Sequence, residues 1–278
     1  MSILAEANVD NHEDHMSRVA QHPRQRDLFI EDIINPFSAK RFAESRWPLQ
    51  VGDLTPAAPQ DLPSCLDMLV KMPKGDMVLP MPYCGVDRVT EFLEKSFAFE
   101  DELLPGWRDT HYAYLTVDQR IVRPQTTHRS GGWHFDGMQG SRYPVKINAC
   151  HQYVSTDFLP TEYTNQPTDA TGLDENKHNW FSSLGNQVEE TSDVMSFGVN
   201  KIVVMSAYQL HRSPVYTGTE EHLRTFMRLD ISLKQQDRLG NTINPDLPAP
   251  WEFQERSLPT GLSEARPRLG WTGGHKFS

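Results

Sequence analysis

With 278 residues, 27 basic against 37 acidic side chains and a formal charge of −10, the chain is long enough for one large β domain. It lacks the surplus of Lys and Arg that gripping phosphate backbones requires, so nucleic acid is a disfavoured partner. Its three cysteines, Cys65, Cys84 and Cys150, form no CxxC pair and cannot all be cystine, which fits buried thiols in a reducing compartment.

The start, MSILAEANVDNHEDHMSR, has neither the basic opening nor the apolar run of a secretory signal, and no stretch of about 18 apolar residues occurs anywhere. A soluble, cytoplasmic protein without a membrane span is expected. The first two dozen residues are polar and hold His12, His15 and His22; without a helical repeat around them they read as a frayed terminus rather than a metal site. DLFIEDII, residues 27–34, predicts a short strand or helix, and residues 54–62 a Pro-rich connector. Val86, Val89, Phe92, Leu93 and Phe97 recur at helical spacing, which predicts an amphipathic helix packed on a sheet and ending before Pro105. After Trp107 the texture turns to β-branched and aromatic segments: residues 111–118, 145–154, 201–209 and 224–233 are the clearest strands. No helical signal of similar strength separates them, so a mainly β fold with an antiparallel barrel or sandwich is expected. The polar stretch 158–190 is too long for a passive connection and reads as a lid-like insertion. The organisation is then a single domain: an N-terminal segment with helices over 1–110, a β core over 111–246, and an irregular tail over 247–278.

The chemistry is concentrated in GGWHFDGMQG. His134 and Asp136 are two apart, so on extended backbone both side chains face one way and can converge on one cation. Glycines around them permit a tight turn, while Trp133 and Phe135 fall on the opposite face as apolar anchors. A third ligand should arrive on a returning strand, and the apolar run KIVVMSAYQL delivers His211. Two imidazoles and one carboxylate leave three positions of an octahedral ion open, the facial arrangement suited to non-haem iron(II) and oxygen. RTFMRLDISL follows, with Arg224, Phe226, Arg228 and Asp230 on one face and Thr225, Met227, Leu229 and Ile231 on the other. The charged face has competing readings: solvent exposure, with Arg228 free or paired to Asp230, or a bidentate clamp for a dicarboxylate co-substrate.

HxD, a histidine 77 residues on and an arginine 13 residues beyond it together resemble the iron(II)/2-oxoglutarate-dependent dioxygenases, over roughly residues 111–233. The resemblance implies a double-stranded β-helix (jelly roll, cupin-like barrel), Fe(2+) held by His134, Asp136 and His211, and 2-oxoglutarate chelating the metal while its distal carboxylate pairs with Arg224. It implies consumption of molecular oxygen, release of succinate and carbon dioxide, and oxidation of a C–H bond. A retained Asp136 favours hydroxylation over halogenation, with desaturation, cyclisation and demethylation left open. Asn148 is a candidate donor to 2-oxoglutarate; Arg228, His128 and Arg129 are candidate contacts for a small anionic substrate such as an amino acid, a small acid or a phosphorylated metabolite. Surface placement is the competing reading for Asn148, His128 and Arg129. Two other readings stand beside this one: a cupin-like metalloenzyme that does not use 2-oxoglutarate, and a non-catalytic barrel that binds a small anion or a protein.

Overall fold

Alternation between two faces is what the chain's long strands impose, and the architecture follows from it. In the computed structural model, residues 24–57, 61–128, 131–136, 150–173, 180–190 and 192–253 are described. The described strands are β1 (Leu49–Asp53), β2 (Cys65–Lys71), β3 (Tyr112–Val122), β4 (His151–Thr156), β5 (Glu162–Thr164), β6 (Val194–Met195), β7 (Lys201–Ser206), β8 (His211–Arg212) and β9 (His222–Ser232). They form a six-stranded antiparallel sheet in the order β1-β7-β4-β9-β3-β2 and a three-stranded sheet in the order β6-β5-β8. An isolated antiparallel bridge from His134 to His211 adds a fourth position beside β8. From β3 the chain crosses to His134, returns to β4, crosses to β5 and β6, returns to β7, crosses to β8 and returns to β9. This back-and-forth course between two sheets is the double-stranded β-helix, and the fold is mainly β.

The larger sheet has two distinct faces. On its outer side Leu115, Tyr153, Val204, Met227 and Leu229 pack against Val89, Phe92, Leu93 and Phe97. These last four lie on one stripe of the helix α2 (Asp87–Leu103), which stops two residues before Pro105, as the spacing predicts. Residues 27–34 fall within a helix, α1 (Gln25–Ile34). His151 of β4 joins both helices to the sheet: its Nδ1 lies 3.1 Å from Glu100 of α2 and its Nε2 2.9 Å from the Phe29 carbonyl of α1. On the inner side Val154, Val203, Met205 and Phe226 meet Tyr163, Met195 and Phe197 from the small sheet.

Three boundaries differ from the sequence reading. The N-terminal segment contributes more than helices, because β1 and β2 are the two edge strands of the larger sheet. Stretch 158–190 is not wholly an insertion: Glu162–Thr164 is the central strand of the small sheet, too short and polar to signal itself, and a further helix, α3 (Trp180–Gly185), follows. Within the segment 145–154, the described strand is His151–Thr156, and residues 137–149 lie outside the described residues. The terminal histidines His12, His15 and His22 lie outside them too.

Phe92 is fully buried where α2 meets the sheet, so Phe92→Ala should lower unfolding free energy by about 3–5 kcal/mol in urea titration. A loss well under 1 kcal/mol would show that this contact is not part of the core.

Candidate metal centre

The small sheet brings the two histidines together through their backbones. His134 N donates to His211 O at 3.0 Å and His211 N donates to His134 O at 2.9 Å, so the residues sit directly opposite and their ring centroids are 4.5 Å apart. Each ring is further held by a carbonyl two residues upstream: His134 Nδ1 lies 2.9 Å from Gly132 O, and His211 Nδ1 3.0 Å from Gln209 O. A carbonyl only accepts, so Nδ1 carries the proton in both rings and each Nε2 keeps its lone pair. Asp136 completes the group, its Oδ2 3.7 Å from His211 Nε2; one ligand atom from each of the three residues lies within 4.8 Å of the others. This is a group that could hold a metal ion.

Phe135, between the two ligands, is fully buried against Phe42, with ring centroids 4.8 Å apart, and shares a cluster with Leu184, Tyr208 and Leu210. Trp133 turns outward, where the Arg212 guanidinium stacks on its ring at 4.4 Å. Gly185 of α3 backs directly onto the Trp133 carbonyl, and a Cβ there would overlap it.

The charged face of β9 is buried and points into the barrel, not to solvent. Arg228 is 7% exposed and each edge of its guanidinium meets a carboxylate: Nη1 donates to Asp136 Oδ2 at 2.7 Å, Nη2 to Asp67 Oδ1 at 2.7 Å, and Nε to Asp230 Oδ2 at 3.1 Å. The residue expected to meet an anionic substrate thus has carboxylates of the protein at each of its three nitrogens. Three of its five N–H donors go to these acids, and Asp136 is one of the residues it positions. Burial alone would raise the Asp136 carboxyl, but the Arg228 guanidinium beside it holds it well below the usual carboxylate range. Asp230, which also accepts from Gln152 Nε2 at 2.8 Å, is pushed up to about 6 by burial, against the pull of Arg228. Three ionised carboxylates around one guanidinium leave two negative charges over, which a divalent cation would balance. Cys150 is buried beside this group, where lack of hydration raises its thiol, so it is no thiolate ligand.

Asp67 was not singled out from sequence, whereas Asp230 is the partner that the competing reading gave to Arg228. Asp67 carries a signal all the same: it is a lone acid inside the apolar strand CLDMLV, at a bulge where φ is 44°, and the bulge turns its side chain toward Arg228.

Arg224 lies four residues earlier on the same inward face, 1% exposed, with Nε donating to the carbonyls of Phe158 (2.6 Å) and Leu159 (3.0 Å). His128 is buried on the neighbouring wall, Nε2 3.4 Å from Asp118 Oδ2, and burial pushes its imidazole down to about 4, with Asp118 opposing and Arg224 adding to the fall. It is therefore a buried neutral ring beside Arg224 rather than a surface group. Arg129 and Asn148 lie outside the described residues.

No protein-family model matches the chain, and no curated protein matches it. Solved structures do align with it. EvdO2 from Micromonospora carbonacea var. aurantiaca aligns at 11% identity over 84% of this chain and 94% of that one, with a TM-score of 0.38. The same protein complexed with 2-oxoglutarate aligns at 13% identity over 76% and 90%, with a TM-score of 0.40. AviO1 from Streptomyces viridochromogenes Tue57 aligns at 12% identity over 83% and 86%, with a TM-score of 0.34.

Two outcomes follow from this geometry. In the metal-free chain, Arg228→Met strands three carboxylates and should cost about 3–5 kcal/mol in urea unfolding; unchanged stability would mean that they find other partners. His128 gives a pH dependence. Unfolded, its imidazole takes a proton near 6.5, and folded it resists to about 4, so the unfolded state binds the extra proton between those values. Stability attributable to His128 is thus complete above pH 6.5 and falls toward pH 4, by about 3 kcal/mol in all. A His128→Gln variant should show a shallower loss than the parent over that window; identical pH profiles would sink the assignment.

Proposed function

We propose that the chain is an iron(II)- and 2-oxoglutarate-dependent dioxygenase that hydroxylates an unactivated C–H bond of a small molecule, releasing succinate and carbon dioxide. The observation that carries this reading is the ligand set: two imidazoles with Nδ1 fixed and Nε2 available, and one carboxylate held by an arginine, all at one place inside a β-barrel. Two nitrogens and one oxygen on one side of an ion suit non-haem iron and leave room for a chelating keto acid and oxygen. When bound, the iron and keto acid supply the oxidising power for C–H chemistry.

The protein's own part is to bind, orient and exclude. His134 and His211 present their Nε2 atoms, and Arg228 fixes which way the Asp136 carboxylate faces. Arg224 takes the distal carboxylate of 2-oxoglutarate. It shares the inward face with Arg228 yet lies roughly 13 Å farther along the strand, at about 3.3 Å per residue, so the two arginines serve different partners. His128, a candidate substrate contact from the sequence, is buried near Arg224 and would line the same part of the cavity as a neutral ring. Asn148 and Arg129 stand as candidate contacts for the keto acid and the substrate.

Anaerobic titration tests the reading. A visible absorption band should appear only when iron(II) and 2-oxoglutarate are both present, and His134→Ala, Asp136→Ala and His211→Ala should each abolish it while the chain stays folded. Arg224→Ala should weaken keto-acid binding on the order of tenfold or more. Metal binding with no band at any keto-acid concentration would point instead to a cupin-like metalloenzyme that does not use 2-oxoglutarate.

A further inference from the structure

Asp67 departs from its strand in two ways. It is the one acid in CLDMLVK, and its φ of 44° lies in the left-handed region, open to glycine, asparagine and aspartate but resisted by most side chains. The register accounts for the turn. Cys65 pairs with Val117 and Met68 with Leu115, so Leu66 and Asp67 together face the single residue Thr116. Cys65 and Met68 thereby both reach the outer core, and the extra residue lets Asp67 point into the barrel.

Two sets of bonds fix it there. The Asp67 backbone N–H donates to Thr116 Oγ1 at 3.0 Å, and the Thr116 hydroxyl donates to Asp67 Oδ1 at 3.1 Å. Thr116 lies directly opposite Arg228 in the β3–β9 register, and Arg228 Nη2 donates to the same Oδ1 at 2.7 Å. A row across the neighbouring strands β2, β3 and β9 thus ends on the guanidinium whose Nη1 donates to Asp136 Oδ2 at 2.7 Å.

Neither the backbone nor these bonds require an acid. Glycine would suit the φ better, and asparagine would suit it while its side-chain oxygen accepted the same two hydrogen bonds. What aspartate adds is a charge. Arg228 faces Asp136, Asp67 and Asp230, and each further acid on it reduces the positive charge it presents to Asp136. A ligand carboxylate left richer in negative charge holds a cation more tightly.

We propose that Asp67 is a positioning residue for the metal centre: acting through Arg228, it leaves Asp136 enough negative charge to hold a divalent cation. The role rests on the metal-binding part of the reading above and needs neither 2-oxoglutarate nor oxygen. Without the ion the same charge works the other way. Acids gathered around one guanidinium repel one another, so the charge that favours the bound ion disfavours the metal-free state.

Asp67→Asn separates charge from shape, and two measurements read it. Calorimetric titration of the full metal-free chain with manganese(II), a redox-stable stand-in for iron(II), should show binding weakened about ten- to a hundredfold. Urea unfolding of the metal-free variant should show stability equal to the parent's or higher. A residue that merely satisfied Arg228 would give the opposite pair, lower stability with unchanged affinity, and that result overturns the proposal. Asp67→Gly suits the backbone and removes the carboxylate outright; it should weaken manganese(II) at least as far and serves if the asparagine variant fails to fold. Affinity equal to the parent's in that variant overturns the proposal as well. If the parent itself binds no manganese(II), the metal centre falls and this role with it. If the parent binds and Asp67→Asn binds equally, only the role of Asp67 falls.

Discussion

The barrel interior depends on one guanidinium. Arg228 joins three carboxylates that come from three places in the chain: Asp67 on the edge strand β2, Asp230 on its own strand, and Asp136 in the metal-binding segment. No pair among the three acids could share a buried site without such a cation, because each would drive up the other's protonation. The ion cluster therefore does structural and chemical work together. It ties the small sheet's HxD segment to the large sheet, and it sets the direction from which Asp136 approaches a metal. Burying this many charges contributes little net stability compared with an apolar core, so its persistence is better understood as specification of geometry than as glue.

The backbone supplies the other half of that geometry. His134 and His211 are cross-strand partners, so the spacing of their rings follows from strand separation and from two reciprocal hydrogen bonds rather than from side-chain packing alone. Carbonyls of Gly132 and Gln209 then choose the tautomer. Gly132, at φ 84°, adopts a left-handed conformation that a side chain would resist, and that conformation directs its carbonyl to the ring two residues on. Ligands held at both the ring and the backbone lose little freedom on binding an ion.

The grouping of His134, Asp136 and His211 was legible because period-two alternation relates residues on one strand, and the HxD pair and the terminal residue of an apolar run obey it. The helix α2 and the strands β3, β7 and β9 were legible for the same reason, their periodicities being long and strong. The role of Arg228 was not. Nothing in RTFMRLDISL tells whether a charged face meets water, a ligand or other charges, since the answer lies in Asp67, which is 161 positions away and reaches Arg228 only through a bulge. β5 was hidden for a different reason: three residues, Glu162–Thr164, are too few to show a period, and their strand exists because β6 and β8 bond to either side. Local pattern reads elements, and long-range pairing assigns their faces.

The two arginines of β9 show how one strand can organise a site with polarity along its length. Toward Arg224 the wall holds Tyr163, Phe226 and the neutral His128 around a cation whose Nε is fixed by two carbonyls. Toward Asp230 and Asp67 the wall is acidic, and the single guanidinium there is already surrounded. One strand face thus carries opposite electrostatic character at its two ends, a basic end at Arg224 and an acidic one at Asp230 and Asp67.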